Sequence, residues 1–180
     1  MDKSLPAKIT LSTFDKWVER ISFILLMLMW IAAIYAYTFL PEIIPIHFDG
    51  SGIANGYGNK ATMFLLPVIG TAIFILVTVL SKYPQIFNYT VRITDQNKQY
   101  QYKNTTRMLR CLKLSIAIIF IVIVIDMYLS GTKKMDGLGS WFLIMVFSII
   151  NIPVAYFISR MFAKPKAATQ NLPADGSQKN

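Results

Sequence analysis

The sequence predicts an all-α integral membrane protein with four transmembrane helices, both termini in the cytoplasm and an ordered Pro/Gly-rich loop outside the membrane. Three observations lead to this fold class. Apolar residues occur in four blocks of about the length that crosses a bilayer. Basic residues gather on one side of those blocks, and a turn-rich segment separates the first block from the second.

The four predicted spans correspond to the apolar blocks, at about residues 21–40, 61–81, 112–130 and 141–159. The first two contain no charged residue, and each is about 30 Å long as a helix, which matches the hydrocarbon core of a bilayer. The first block is longer than the apolar part of a signal peptide, about 7 to 15 residues. We therefore expect it to be a retained helix.

The segments around the spans indicate further local structure. Ser12, with Asp15 three residues later, predicts a capped helix start that continues into span one. Before span three, "NYTVRIT" predicts a short strand, and Thr94 is the expected N-cap of a helix that extends into the span. We expect residues 1–162 to form one membrane domain and residues 163–180 to be a disordered cytoplasmic tail.

Proline, glycine and asparagine interrupt two of the spans. Such residues are tolerated in a membrane helix where neighbouring helices satisfy the freed backbone groups. The sequence therefore predicts kinks that face protein at Pro67 and Gly70 in span two, and at Asn151 and Pro153 in span four.

The distribution of charge predicts the orientation of the chain. Fifteen of the 18 Lys and Arg residues lie before span one, between spans two and three, or after span four. Basic residues in short loops stay in the cytoplasm, so the loop at residues 41–60 is expected outside. The net charge of +9 is thus explained by topology, and nucleic-acid binding is disfavoured because no groove-reading motif accompanies it.

The loop at residues 41–60 is far longer than a connection between neighbouring helices requires. Loops of this length are usually functional or disordered, and its apolar residues argue for order. The alternation of Ile44, Ile46 and Phe48 predicts a short strand with these side chains on one face and His47 on the other. "DGSG" and "NGYG" predict two tight turns, so we expect a small cap over the outer mouth of the bundle.

The candidate ligand-binding residues are His47, Asp49, Asn55, Lys60 and Asp126. Three roles are open for His47: a hydrogen-bonded residue that holds the cap, a pH-sensing or ligand-contacting ring, or a metal ligand with Asp49 or Glu42. The spacing matches no established metal motif, so we expect neither a metal nor a cofactor. No catalytic residue is predicted.

Asp126 is the one acidic residue within a span. A carboxylate at mid-bilayer costs about 2.5 to 3.5 kcal/mol, so such residues usually face the bundle interior and mark function. Asp126 lies about 6 Å from Ser130 at the outer end of the helix. We expect it to pair with Lys60 or His47, and a proton or ion pathway is the alternative.

The loop carries a motif that resembles the DUF1648 family. Its pattern is Ile-Pro-x-His-Phe, a glycine, Asn-Gly-x-Gly, a lysine and a proline in the next span, within about residues 17–66. The segments "YPQIFNYTVRIT" and "NKQYQYKNTTRMLRCLK" are similar to the region after this motif in many such proteins, which extends the resemblance to residue 113. The family also forms the front half of SdpI-type immunity proteins, membrane proteins that protect bacteria from a secreted killing peptide.

The resemblance implies a non-enzymatic multi-pass protein of the bacterial cytoplasmic membrane, either an immunity protein or a signal receiver. Its outer loop would bind an extracellular peptide or an envelope component. The basic loop at residues 82–113 would contact lipid headgroups or a cytoplasmic regulator. A small transporter, or an accessory subunit of one, that uses Asp126 is the alternative. An intramembrane enzyme is disfavoured because no His or Lys is available within the membrane to activate a serine.

Overall fold

The computed structural model describes residues 9–163. This part contains four long helices and one antiparallel pair of strands. The predicted tail at residues 163–180 lies outside the described residues, apart from Ala163 directly after the last helix. In chain order the elements are α1 (Thr13–Phe39), β1 (Ile43–Phe48), β2 (Ala54–Asn59), α2 (Leu65–Leu80), α3 (Lys98–Gly131) and α4 (Trp141–Phe162), with short 3₁₀ helices at Lys60–Phe64 and Pro84–Ile86.

Among the described residues, four helices are long and apolar enough to cross a membrane. Large apolar side chains are exposed along all four, as expected of surfaces that face lipid. The predicted fold class, an all-α multi-pass membrane protein, is therefore confirmed. The orientation with both termini inside stays a prediction.

Helix α3 is the centre of the bundle, because it packs against α1, α2 and α4. Its 34 residues make it about 51 Å long, so it extends well beyond a hydrocarbon core of about 30 Å. Small residues allow close packing: a Cβ on Gly70 of α2 would lie 2.7 Å from Met29 Cε of α1. Helix α4 is peripheral, and its buried residues are Phe157 and Met161.

The start of α1 agrees with its sequence. The Ser12 amide donates a hydrogen bond to Asp15 Oδ2 at 2.8 Å, and the Asp15 amide donates to Ser12 Oγ at 3.3 Å. These two bonds form a capping box, which satisfies amides that the first helical turn leaves without partners.

The predictions for residues 88–97 are wrong. "NYTVRIT" is irregular, and α3 begins at Lys98 with Asn97, not Thr94, at its N-cap position. The Asn97 side chain accepts from the Thr94 amide at 2.8 Å and donates to the Arg92 carbonyl at 2.9 Å. The Thr94 amide and the Arg92 carbonyl therefore bond to the Asn97 side chain and not to a partner strand.

The predicted helix interruptions have a mixed outcome. Pro67 and Gly70 are buried against protein, as expected. Pro67 lies in the first turn of α2, a position at which proline is tolerated. Asn151 is exposed and donates to the Phe147 carbonyl in its own helix at 2.8 Å, so the expectation that it faces protein is wrong.

Candidate functional site

The loop between α1 and α2 forms a β-hairpin, which we define as residues 43–59. Its turn is the predicted one at "DGSG": the Gly52 amide donates to the Asp49 carbonyl at 2.9 Å. Asp49 Oδ1 accepts from the amides of Ser51 and Ile53, at 2.8 and 3.0 Å. One oxygen of the Asp49 carboxylate thus orders the turn. Within residues 9–163, the other oxygen accepts no hydrogen bond.

The second predicted turn is wrong, because "NGYG" lies within β2. Its glycines are explained by cross-strand space. A Cβ on Gly56 would lie 2.8 Å from His47 Cβ, and a Cβ on Gly58 would lie 2.5 Å from Ile46 Cδ1. These glycines therefore make room for the side chains on β1.

The predicted alternation along β1 is also wrong. Ile44 is fully buried, Pro45 beside it is buried, and Ile46 is exposed. The strand register is irregular on both sides of His47, and such irregularities change the face on which side chains lie. Ile44 is part of the core cluster with Leu40, Ala36 of α1 and Met127 of α3, and the partly buried Phe48 packs against that cluster.

The hairpin is fixed at its base by Lys60. The Lys60 ammonium donates to the Leu40 carbonyl at 3.2 Å, pairs with Glu42 at 3.2 Å, and lies 4.8 Å from the centroid of the Tyr37 ring. Its backbone amide also donates to the Glu42 carbonyl at 2.9 Å. These contacts hold the C-terminal end of α1 close to the 3₁₀ helix that precedes α2.

The tip of the hairpin is fixed to the loop between α3 and α4. Ile53 forms an isolated β-bridge with Gly137, and the backbones approach closely. Gly52 and Gly137 have φ values of +78° and +129°, and a Cβ on Gly137 would lie 2.1 Å from the Gly52 carbonyl oxygen. Only glycine fits such a contact without strain.

Beneath the hairpin lies a groove of about 490 Å³, which we call the hairpin groove. It is lined by the hairpin and by α2, α3 and α4, and its polar side chains are His47, Asp49 and Thr62. The main residues that line it are Phe48 of the hairpin, Leu65, Leu66 and Ile69 of α2, Ile123 and Met127 of α3, and Phe142 and Leu143 of α4.

His47 presents one ring nitrogen to a ligand. Its Nδ1 lies 2.5 Å from Asn55 Oδ1, and a carbonyl oxygen can only accept, so Nδ1 carries the proton. In the neutral ring Nε2 is then an acceptor, and it becomes a donor when the ring is protonated. Among residues 9–163 no group bonds to Nε2. The hydrogen bond to Asn55 therefore orients the imidazole and leaves its other edge free.

The remaining candidate residues lie apart from the groove. Asp126 is buried in α3, and Ser130 Oγ donates to its Oδ2 at 3.4 Å. Lys60 is engaged with Glu42, so the predicted pairing of Asp126 with Lys60 or His47 is wrong. The strand register places Lys60 beside Glu42 and thereby determines its partner. Within the described part, no three His, Cys, Asp or Glu side chains are placed to hold a metal ion.

The opposite end of the bundle, where α1 and α3 begin and α4 ends, carries ion pairs that sequence reasoning missed. We call it the basic end. Arg107 Nε donates to Asp15 Oδ1 at 2.7 Å, while Arg110 and Lys113 both pair with Glu19. The acids are four residues apart on α1 and the cations are three apart on α3, which places each set on one helical face. This spacing is the signal in the sequence that could have found them.

The residues that line the groove were missed for a different reason. Within the apolar blocks they look like any lipid-facing residue, so their sequence carries no separate signal. Only the packing of the helices distinguishes them.

Comparisons with known proteins support the domain prediction. An uncharacterized protein of Archaeoglobus fulgidus is 29% identical over 86 residues, which cover 43% of this chain and 47% of that protein. The chain therefore spans about half the length of this curated relative. No solved structure matches the chain. Residues 24–71, which run from α1 through the whole hairpin into α2, match DUF1648, a domain of unknown function, as the loop motif predicted.

Proposed function

We propose that this chain is a non-enzymatic receptor or immunity-type protein of the SdpI kind. In this proposal it lies in the bacterial cytoplasmic membrane with its hairpin outside. Its hairpin groove binds the apolar part of an extracellular peptide or envelope component, and a polar group of that ligand bonds to His47. A cytoplasmic regulator at residues 82–113 would be the second partner.

The observation that carries the proposal is the combination of an apolar groove with a polar mouth. Ligand sites are typically apolar pockets of about 300 to 1,000 Å³ with a few placed polar groups, and the groove has this size and composition. Ile69 and Leu143 line it and remain about half exposed, so the apolar walls of the groove are open to a ligand. An amphipathic ligand matches both features.

The first test separates a ligand-contacting His47 from a structural one. Cells that express the protein are challenged with the killing peptide against which an SdpI-type protein protects. We expect His47→Ala to raise sensitivity by about 5- to 150-fold, since one lost hydrogen bond to a ligand costs about 1 to 3 kcal/mol. Asn55→Ala removes the bond that orients the ring but keeps Nε2, so its loss of protection should be smaller. Equal loss in both variants would assign His47 a structural role.

A second test fills the groove. Leu143→Trp adds bulk to the wall on α4, whereas Ile144→Trp adds the same bulk beside it at a position that does not line the groove. Ile144 is 70% exposed, so the control should be tolerated. Protection should be lost in the first variant and kept in the second. Protection by both would exclude the groove as the peptide site.

The proposed orientation has its own test. With Cys111 replaced by alanine, a cysteine at Ser51 in the hairpin should react with a reagent that cannot cross the membrane. A cysteine at Lys103 at the basic end should not. The reverse labelling pattern would place the groove inside the cell and remove the proposed extracellular ligand.

Transport is the second candidate function, and one observation favours it. Asp126 is buried in α3, and within residues 9–163 it has no cationic partner. An unpaired acid inside a membrane bundle is a common site of proton coupling. If transport is the function, Asp126→Asn should abolish pH-driven flux in vesicles, while peptide protection would be absent from the wild type.

A further inference from the structure

We propose that the basic end holds a specific site for the phosphate group of an anionic membrane lipid. The site is a pocket of about 290 Å³ between the start of α1, the first third of α3 and the end of α4. We call it the basic pocket. It is separate from the hairpin groove, so the proposal does not depend on ligand binding at that groove.

Helical spacing brings the functional groups of the pocket together. Tyr100, Lys103 and Arg107 line it from α3, at positions that fall on one face of a helix. Tyr156 and Arg160 are four residues apart and line it from α4. Three cations and two phenol rings therefore converge from two helices.

Hydrogen bonds between α3 and α4 fix the walls of the pocket before any ligand binds. Tyr100 Oη donates to the Arg160 carbonyl at 2.9 Å, and Asn104 Nδ2 donates to the Phe157 carbonyl at 2.8 Å. Both carbonyls lie in the last turns of α4. A site held in this way needs little reorganisation when a ligand enters.

The charge of the pocket is unbalanced. Asp15 pairs with Arg107 but does not itself line the pocket. Lys103 and Arg160 line the pocket, and within residues 9–163 neither side chain has a hydrogen-bond or ion-pair partner. No acid lines it. Two uncompensated positive charges match a phosphate group, which Lys and Arg bind by charge-assisted hydrogen bonds.

The position of the pocket favours a lipid over a soluble phosphate. Arg160 comes directly after the predicted span at residues 141–159. A residue at the end of a span lies at the depth of the lipid headgroups. Phe14 and Tyr156 line the pocket and are each more than half exposed. Aromatic residues at this depth contact both headgroups and the first part of the acyl chains. A lipid would occupy the charged and the apolar parts at once.

The test uses the full chain in nanodiscs made of phosphatidylcholine with a minor share of phosphatidylglycerol. Retained lipid is counted by native mass spectrometry. We expect the wild type to retain phosphatidylglycerol selectively, and Lys103→Gln combined with Arg160→Gln to weaken retention by about 10- to 30-fold. Exchange of the two cations, Lys103→Arg with Arg160→Lys, keeps the charge and should keep retention.

Lys133→Gln combined with Lys134→Gln is the matched control, because it removes the same charge at the hairpin end. It should retain the lipid as the wild type does. Equal retention by the Lys103/Arg160 double variant, or equal loss in the control, would overturn the proposal. Displacement of the lipid by millimolar inorganic phosphate would overturn the lipid assignment. An unchanged melting temperature in pure phosphatidylcholine shows that the variants are folded.

Discussion

The two ends of the bundle are held together by different interactions. At the hairpin end, the ion pair between Lys60 and Glu42 leaves the acid side chain 74% exposed, and Ile44 and the bridge from Ile53 to Gly137 add apolar and backbone contacts. At the basic end, the Asp15 and Lys113 side chains are each 2% exposed within their ion pairs. Each of these two pairs at the basic end therefore contains a fully buried charge, whereas the acid of the pair at the hairpin end is mostly in water.

Burial makes the basic end intolerant of change. Lys113 pairs with Glu19 of α1, donates to Thr78 of α2 at 2.9 Å, and lies 4.1 Å from the centroid of the Phe74 ring. One ammonium group on α3 thus holds two other helices. Removing one partner from such a pair strands the other charge, which costs more than the pair itself contributes. Glu42 at the hairpin end is mostly in water, so the corresponding penalty there is small.

The largest expected effect comes from breaking the pair between α1 and α3. Arg107→Met strands the buried Asp15 carboxylate, which keeps its bonds from Ser12 alone. We expect a loss of about 3 kcal/mol, the lower end of the range for a broken buried pair, because those bonds remain. Denaturant unfolding in mixed micelles, followed by tryptophan fluorescence, measures it.

Neutralising the stranded acid is the control for that experiment. Asp15→Asn combined with Arg107→Met leaves no charge to desolvate, and an asparagine side chain can still accept from the Ser12 amide. The double variant should recover most of the lost stability. If it is as unstable as Arg107→Met alone, the loss comes from packing of the arginine and the burial argument does not hold.

An intermediate effect is expected where the hairpin tip meets the loop before α4. Gly137→Ala would place a Cβ 2.1 Å from the Gly52 carbonyl oxygen at a φ of +129°. We expect a local cost of about 1 to 3 kcal/mol, because the backbone must leave this conformation. Hydrogen–deuterium exchange at residues 43–59 should increase, while exchange at the start of α3 stays unchanged.

Gly50→Ala is the matched control on the same hairpin turn. The nearest atom to its added Cβ would be Leu143 Cδ1 at 4.0 Å, so the methyl group meets no obstacle. Exchange in the hairpin should remain as in the wild type. Equal acceleration in both variants would mean that the turn itself is fragile and that the contact at Gly137 does not hold it.

The sequence predicted the features that depend on composition or on neighbouring residues. The four helices, the cap at Ser12 and the first hairpin turn arise from local patterns, and the structure contains them. Several predictions that failed, such as the second hairpin turn, depend on contacts across the hairpin or between helices. Position 56 needs glycine because the His47 side chain on the neighbouring strand leaves no room for a Cβ. From the sequence alone, "NGYG" looks the same whether it forms a turn or part of a strand.

The candidate site divides in the same way. His47 and Asp49 stand out in sequence as polar residues in a turn-rich loop, and both lie at the groove. Asp126 also stands out, but its hydrogen-bond partner is Ser130 in the next turn of the same helix, because the packing of the helices does not bring Lys60 or His47 to it. The groove itself required three helices to be placed in space before its apolar walls could be distinguished from lipid-facing surface.

The smallest expected effect is Lys60→Met at the base of the hairpin, the counterpart of Arg107→Met at the basic end. The variant leaves Glu42 unpaired, but that side chain is mostly in water and loses little stabilisation. The Leu40 carbonyl loses one donor as well, so we expect a cost of at most about 1 kcal/mol in the same unfolding assay. Adding about 0.5 M salt should reduce the difference from the wild type further, because exposed pairs are screened. A loss as large as that of Arg107→Met would show that charges hold the hairpin end as strongly as the basic end. The two ends would then differ only in how exposed Glu42 is.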